Sequence, residues 1–98
     1  MVAIRRVVGE SMLPTLRPDQ VVVIRRKVRL QVSDVVMVRH GGLDKIKRVS
    51  AIQDGKIFVE GDNPAASTDS RQFGWIDRQS VQGKVIWPRK LQKNLSRK

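Results

Sequence analysis

Two residues, Ser11 and Lys47, carry side chains that could together perform nucleophilic catalysis. A serine hydroxyl is a weak nucleophile until a nearby base takes its proton. Lys47 can serve as that base only when its amine is uncharged, and bringing its pKa from about 10.4 to about 8 by burial costs roughly 3 kcal/mol. Alternation along a strand places Lys47 on the same face as Val49 and Ala51. These small apolar neighbours favour partial burial, although a lysine in this setting can also extend its amine to water.

The residues around Ser11 predict an exposed bend. Ser11 follows the end of an apolar segment, and Pro14 restricts the turn after it. A Ser-His-Asp triad is an alternative, because the chain has one histidine, His40. His40 adjoins Gly41-Gly42, however, which suit a hairpin tip where side chains are usually solvated. We therefore interpret His40 as a surface residue.

Runs of valine and isoleucine predict the elements that must position these side chains. Both residue types favour strands, and they mark predicted strands over residues 2–8, 21–24, 35–39, 44–52, 56–60 and 81–87. Gly41-Gly42 and Asp54-Gly55 suit tight hairpin turns, and residues 61–70 are predicted as a polar loop. The expected fold is mainly β: a small, coiled, barrel-like antiparallel sheet with little helix.

Length and composition limit the organisation of the chain. Its 98 residues suit one domain, expected over residues 1–88, with a basic C-terminal tail over residues 89–98. The absence of cysteine excludes disulfides, thiolate catalysis and cysteine-ligated metal, and neither a metal nor a cofactor is predicted. A net charge of +11 attracts nucleic acid, anionic lipid or acidic polypeptides.

No segment of the sequence reads as a membrane anchor. The longest wholly apolar run, residues 21–24, is far shorter than the roughly 20 residues that span a bilayer. Arg5 and Arg6 are not followed by the apolar stretch of a secretory signal. The sequence predicts a soluble, cytoplasmic protein without a transmembrane anchor, and its charge leaves peripheral contact with a membrane as an alternative.

Three segments resemble the conserved boxes of type I signal peptidases, in the order of that family. Residues 9–16, Gly-Glu-Ser-Met-Leu-Pro-Thr-Leu, resemble the box around the nucleophile, and residues 45–49, Lys-Ile-Lys-Arg-Val, resemble the lysine box. Residues 61–74, from Gly-Asp-Asn-Pro to Arg-Gln-Phe-Gly, are similar to the third box, and residues 83–87 match the strand that closes it. The resemblance covers about residues 7–87 and implies a small β-rich serine peptidase.

The resemblance also implies a role for particular residues. Ser11 would attack the scissile carbonyl, neutral Lys47 would take its proton, and Ser67 would orient the lysine. Further residues would support the third box, with an ion pair between the last two of them: Asp62, Asn63, Asp69 and Arg71. Gly61 and Gly74 would occupy tight backbone turns.

Two departures from the bacterial signal peptidases point to a particular branch. Gly9 stands where the bacterial enzymes commonly have a serine that helps bind the oxyanion, so this role would fall to the Ser11 backbone N–H and a second donor that the sequence does not identify. No N-terminal anchor or large insertion is visible. In both features and in the sequence of residues 61–71, the chain resembles the nickel-type superoxide dismutase maturation proteases. This similarity implies a precursor of nickel superoxide dismutase as the polypeptide substrate, trimmed of its N-terminal extension.

Two segments are expected to bind the substrate as an added strand. The first comprises Val7, Val8 and Gly9, and the second runs over residues 43–46 and includes Lys45 and Ile46. A small apolar pocket for the residue before the cleaved bond would be lined by Met12, Leu16 and Ile46. For Met12 and Leu16, plain packing in the core is an equal alternative.

Two other functions compete with this interpretation. A signal peptidase that processes exported proteins at a membrane would carry the same boxes, although the missing anchor weighs against it. A basic nucleic-acid-binding β-barrel would use the dense cationic stretch over residues 25–29 and the tail. Its few aromatic residues, two Phe and two Trp, form no stacking pattern, and no nucleic-acid partner is expected. The basic surface either maintains solubility or recruits an acidic precursor.

Overall fold

The computed structural model describes residues 1–26, 29–89 and 91 and shows the predicted mainly β fold. Seven antiparallel strands form one curled sheet in the order β1-β2-β7-β3-β4-β5-β6. Their bounds are β1 Val2–Arg6, β2 Val21–Arg25, β3 Val35–His40, β4 Leu43–Gln53, β5 Lys56–Glu60, β6 Ile76–Asp77 and β7 Val81–Trp87. One short helix, α1, spans Ser70–Phe73, and 3-10 turns span Pro64–Ala66 and Arg78–Ser80. The proposed tail over residues 89–98 lies almost wholly outside the described residues.

The two predicted hairpin turns join the central strands. His40 pairs with Leu43 across Gly41-Gly42, and Gln53 pairs with Lys56 across Asp54-Gly55. Both residues of each turn have positive φ, from 52° at Asp54 to 78° at Gly42. Positive φ at both central positions gives the turn a twist that matches the strands it connects. The turn sequences therefore set the register between β3, β4 and β5.

Strand β3 is buried on both of its faces, and this explains its unbroken apolar sequence. Val35 and Met37 pack into a first core, whereas Val36 and Val38 pack into a second. The first core also contains Val7, Met12, Leu16, Val22, Ile24 and Val85. The second contains Val49, Ile57, Val59 and Ile76. Apart from Met12, Leu16 and Met37, every buried hydrophobic residue is valine or isoleucine.

Several predicted details differ from the structure. The first strand ends at Arg6, because Val7 leaves the ladder and bonds instead with Gln20 and Asp19 at 2.8 Å each. A bulge between Val49 and Ala51 changes the alternation of β4, so Ala51 pairs with Phe58 and lies on the face opposite Val49. The prediction that Ala51 shares a face with Lys47 was therefore wrong. The polar loop also contains short helical turns that hydrophobic periodicity does not reveal.

Candidate active site

Ser11 opens a turn that the first core holds in place. Met12 and Leu16 are 1% and 0% exposed, and the Leu16 amide donates to the Met12 carbonyl at 2.9 Å. A second attachment comes from Asn63, whose backbone amide donates to the Ser11 carbonyl at 2.8 Å and whose side chain donates to the Glu10 carbonyl at 3.1 Å. The turn that carries Ser11 is thus fixed from two sides.

Lys47 lies in the middle of β4 at a point where both faces of the strand are covered. Lys47, Arg48 and Val49 are three consecutive buried residues, and Lys47 is 4% exposed. A half-buried strand would alternate between buried and exposed positions. Here the loop that follows β5 covers the face that carries Lys47. The amine therefore does not extend to water, which was the alternative to burial.

A chain of hydrogen bonds runs from Lys47 to Arg71. The Lys47 Nζ donates to Ser67 Oγ at 3.0 Å, and Ser67 Oγ donates to Asp69 Oδ2 at 2.5 Å. Asp69 forms an ion pair with Arg71, with Nη2 and Oδ2 separated by 2.6 Å. A hydroxyl has one proton to donate, and Ser67 donates its proton in the hydrogen bond to Asp69. Lys47 must therefore donate to Ser67, so an uncharged Lys47 keeps its lone pair for another partner.

Asp69 is fully buried and is satisfied from several directions. The Gly61 amide donates to Oδ2 at 2.7 Å and the Arg71 amide donates to Oδ1 at 3.1 Å. The second of these bonds caps α1, and Gln72 completes a capping box by accepting from the Asp69 amide at 2.8 Å. The predicted polar loop thus ends in a helix whose cap also supports the site.

The surroundings of Lys47 favour the uncharged form of its amine. Burial lowers the pKa of Lys47; the Asp69 carboxylate opposes this change, and the charges of Lys45 and Arg71 reinforce it. Burial alone would raise the pKa of Asp69, but hydrogen bonds from Arg71, Ser67 and the Gly61 amide hold that pKa well below its usual range. Asp69 is therefore ionised and compensated by Arg71. Because Arg71 is its counter-ion, Asp69 does not require a charged Lys47.

Ser11 and Lys47 both line one open cavity of about 590 Å³. Predicted substrate-binding residues that also line it are Val8, Gly9, Lys45 and Ile46. The Ser11 amide donates to no protein acceptor in the part of the chain that the structure describes. It is therefore available to a negatively charged oxygen in the cavity. Gly9 has φ of +80°, in the left-handed region that favours glycine.

Other predicted site residues lie elsewhere. Val7, Met12 and Leu16 belong to the first core and do not line this cavity, so core packing accounts for all three and only Ile46 of the proposed apolar pocket borders the open space. His40 does not line the cavity either. Its ring stacks on Phe73 with centroids 3.8 Å apart.

Glycine at position 61 is required for a different reason than predicted. Gly74 has φ of +84°, but the φ of Gly61 lies outside the left-handed region. A Cβ at position 61 would instead lie 2.6 Å from the Ser11 carbonyl oxygen and 2.7 Å from the Ser67 Cβ. Gly61 therefore permits a close approach of the segments that carry these two serines.

Reasoning from the sequence gave Asp62 a supporting role but missed the buried cluster that it forms with Arg48 and Thr15. Arg48 binds both carboxylate oxygens of Asp62, at 2.9 and 2.8 Å, and donates to the Ser33 carbonyl at 2.8 Å. The Thr15 hydroxyl donates to the same carboxylate. Arg48 follows Lys47, Thr15 lies in the turn of Ser11, and Asp62 is the second residue of the third box. The cluster therefore joins the three segments, and a signal for it existed in the placement of these residues within the boxes.

Within the described residues, no helix is long and apolar enough to cross a membrane. Comparison with protein families matches residues 1–86 to the Peptidase S24-like family. A search among curated proteins found no match. The family match agrees with the predicted serine peptidase. The closer resemblance to signal peptidases and to the nickel superoxide dismutase maturation proteases stays a prediction.

Proposed function

Because the chain belongs to the Peptidase S24-like family, we propose that it is a serine endopeptidase in which Ser11 is the nucleophile and Lys47 the general base. One observation carries this proposal: a buried lysine, hydrogen-bonded to Ser67, lines the same cavity as a serine on a fixed turn. A base must be held near its proton donor, and a lysine must be desolvated to act as one.

The proposed reaction follows from these positions. Lys47 Nζ takes the Ser11 hydroxyl proton as Oγ bonds to the scissile carbonyl carbon, and the carbonyl oxygen becomes an oxyanion. The Ser11 backbone N–H donates to that oxyanion. The Lys47 ammonium then returns its proton to the leaving amine, and the C–N bond breaks. Water hydrolyses the resulting acyl-enzyme, with Lys47 again acting as base.

The pairing of β4 supports the binding of an extended peptide. Residues 43–48 of β4 pair with β3, whereas β5 pairs only from Arg48 onwards. The opposite edge of residues 43–47 consequently has no strand partner among the described residues, and it borders the cavity. A peptide added to this edge would form main-chain hydrogen bonds beside Ser11.

The proposed biological role is removal of an N-terminal extension from a precursor, with the nickel superoxide dismutase precursor as substrate. The resemblance of the three boxes to those of the maturation proteases supports this choice. Processing of exported proteins at a membrane is the second candidate. Incubation of the purified chain with a nickel dismutase precursor and, separately, with a secretory preprotein, followed by N-terminal sequencing of the products, distinguishes the two.

The mechanism is tested with matched substitutions. We expect Ser11→Ala and Lys47→Met each to abolish cleavage, and Ser67→Ala to reduce it less, because Ser67 orients the base without taking the proton. Lys56→Met is a suitable control, since Lys56 is exposed on β5 and pairs with Asp77 at 2.8 Å. Circular dichroism establishes that each variant is folded. Retained cleavage in folded Lys47→Met would eliminate the dyad.

A further inference from the structure

Three cationic side chains line the cavity that holds Ser11 and Lys47. Arg5, Arg6 and Lys45 line it, and none of them forms an ion pair within the described residues. Of the two carboxylates that also line it, Asp44 pairs with Arg39 at 3.1 Å and only Glu10 balances the three cations. The cavity therefore carries an excess of positive charge near the site where a peptide would bind.

Arg5 has an unusual position for an arginine. It pairs with Val22 on the face of β1 that also carries Ala3, which packs against the first core, so its side chain lies on the inner side of the sheet. The side chain is half-buried, and within the described part of the chain its one hydrogen bond is to the adjacent Ile4 carbonyl at 2.9 Å. A partly desolvated guanidinium with most of its donors free is suited to a carboxylate.

Lys45 carries the second charge at the cavity. It precedes Lys47 by two residues, so alternation places both on one face of β4, about 7 Å apart along the strand. Its Nζ lies 5.1 Å from the centre of the Phe73 ring, and this contact holds the side chain beside the cavity. A residue two positions from the cleaved bond in a peptide added to β4 would lie near this amine.

We propose that Arg5 and Lys45 select substrates that carry an acidic side chain within about four residues of the cleaved bond. The inference rests on the proposed peptidase function and adds a substrate class to it. The carboxylate forms charge-assisted hydrogen bonds with the Arg5 guanidinium and the Lys45 ammonium. Recognition is thus local to the cavity and does not depend on the overall charge of the chain.

A library of proteome-derived peptides tests the proposal. Cleavage products of the wild-type chain are compared with those of Ser11→Ala, and the sequences around each Ser11-dependent site are aligned. We expect Asp and Glu to be enriched at one position within four residues of the cleaved bond. For a peptide chosen from that set, replacing the acidic residue by its amide should lower kcat/KM about five- to tenfold.

Charge reversal identifies the residues responsible. Arg5→Glu and Lys45→Glu should reduce the preference for the acidic peptide over its amide counterpart, and Arg5→Gln serves if Arg5→Glu does not fold. The ratio of the two kcat/KM values cancels any change in the strength of the base. Arg26→Glu changes the net charge equally on an exposed residue that does not line the cavity, and it should leave the ratio unchanged.

The outcomes separate this inference from the proposed function. Ser11-dependent cleavage without acidic enrichment, or an equal effect of Arg26→Glu, overturns the inference and leaves the peptidase intact. The complete absence of Ser11-dependent cleavage overturns both. The inference is supported if the preference for the acidic peptide is lost in the Arg5 and Lys45 variants and kept in Arg26→Glu.

Discussion

Replacing Gly61 by alanine tests whether the site depends on a close approach between two chain segments. The new Cβ would lie 2.6 Å from the Ser11 carbonyl oxygen and 2.7 Å from the Ser67 Cβ, and it would also collide with the Ser67 hydroxyl. The distance to the carbonyl oxygen is about 0.8 Å short of the 3.4 Å at which ordinary contact begins. Backbone and Cβ atoms cannot rotate out of the way, so the segments that carry Ser11 and Ser67 must separate.

The expected losses of activity and of stability in Gly61→Ala follow from that displacement. A shift of about 1 Å in a reacting group can lower the rate about 100-fold. Overpacking of this kind costs about 1–3 kcal/mol of unfolding free energy. We therefore expect folded Gly61→Ala to retain about 1% of the wild-type kcat/KM, with a moderately lower melting temperature.

Gly83→Ala is the matched control for this experiment. A Cβ there would lie 3.0 Å from the Arg25 carbonyl oxygen and 3.3 Å from the Ile24 Cβ, within β7 and away from the cavity. It should lower the melting temperature and preserve kcat/KM. Peptide hydrolysis and thermal unfolding by circular dichroism give both quantities. Wild-type kcat/KM in Gly61→Ala, or an equal loss of activity in Gly83→Ala, would refute the reasoning.

Three further predictions concern the buried charges. Lys45→Met removes a positive neighbour and should raise the pKa of Lys47. The acid limb of the kcat/KM profile should therefore move to higher pH. An acid limb that does not move would mean that Lys47 is not the titrating base. Because the folded-state pKa of Lys47 is lowered, the unfolded chain binds more protons between that value and about 10.4. The stability of the wild type should therefore rise with pH across this window. Lys47→Met should melt at a higher temperature than the wild type at pH 7, and this difference in melting temperature should shrink towards pH 10. A constant difference in melting temperature would contradict the titration of Lys47. Arg48→Met breaks the buried ion pair between Arg48 and Asp62 and should cost about 3–5 kcal/mol in urea unfolding, whereas Lys56→Met, on an exposed pair, should cost less than about 1 kcal/mol.

The strands were predictable because their sequences contain strong local signals. The boundaries of β5 and β7 match the predicted ranges, and the remaining main strands differ by one or two residues. The two glycine-containing turns define their hairpins without reference to the rest of the chain. β6 and α1 were missed because they contain two and four residues. Their formation depends on pairing with β5 and on capping by Asp69, which hydrophobic periodicity cannot reveal.

The candidate site was predictable only in part. The resemblance of the three boxes pointed to Ser11, Lys47 and Ser67. In the structure Ser11 and Lys47 line one cavity, and Ser67 forms a hydrogen bond with Lys47. The direction of the Met12 and Leu16 side chains could not be foreseen. Strand alternation does not apply in a turn, and both side chains enter the core. The clash at Gly61 likewise arises from segments that are distant in sequence.

The edge of β4 at residues 43–47, which no described strand pairs with, would limit which proteins the proposed enzyme can cleave. A chain already folded into its own sheet or helix has its amides and carbonyls satisfied and cannot add to residues 43–47 without first unfolding locally. Leader segments and exposed tails meet this backbone requirement before any side chain is recognised. Under the proposed function, a folded product would therefore be spared a second cut, because its stable structure cannot add to this edge as a strand.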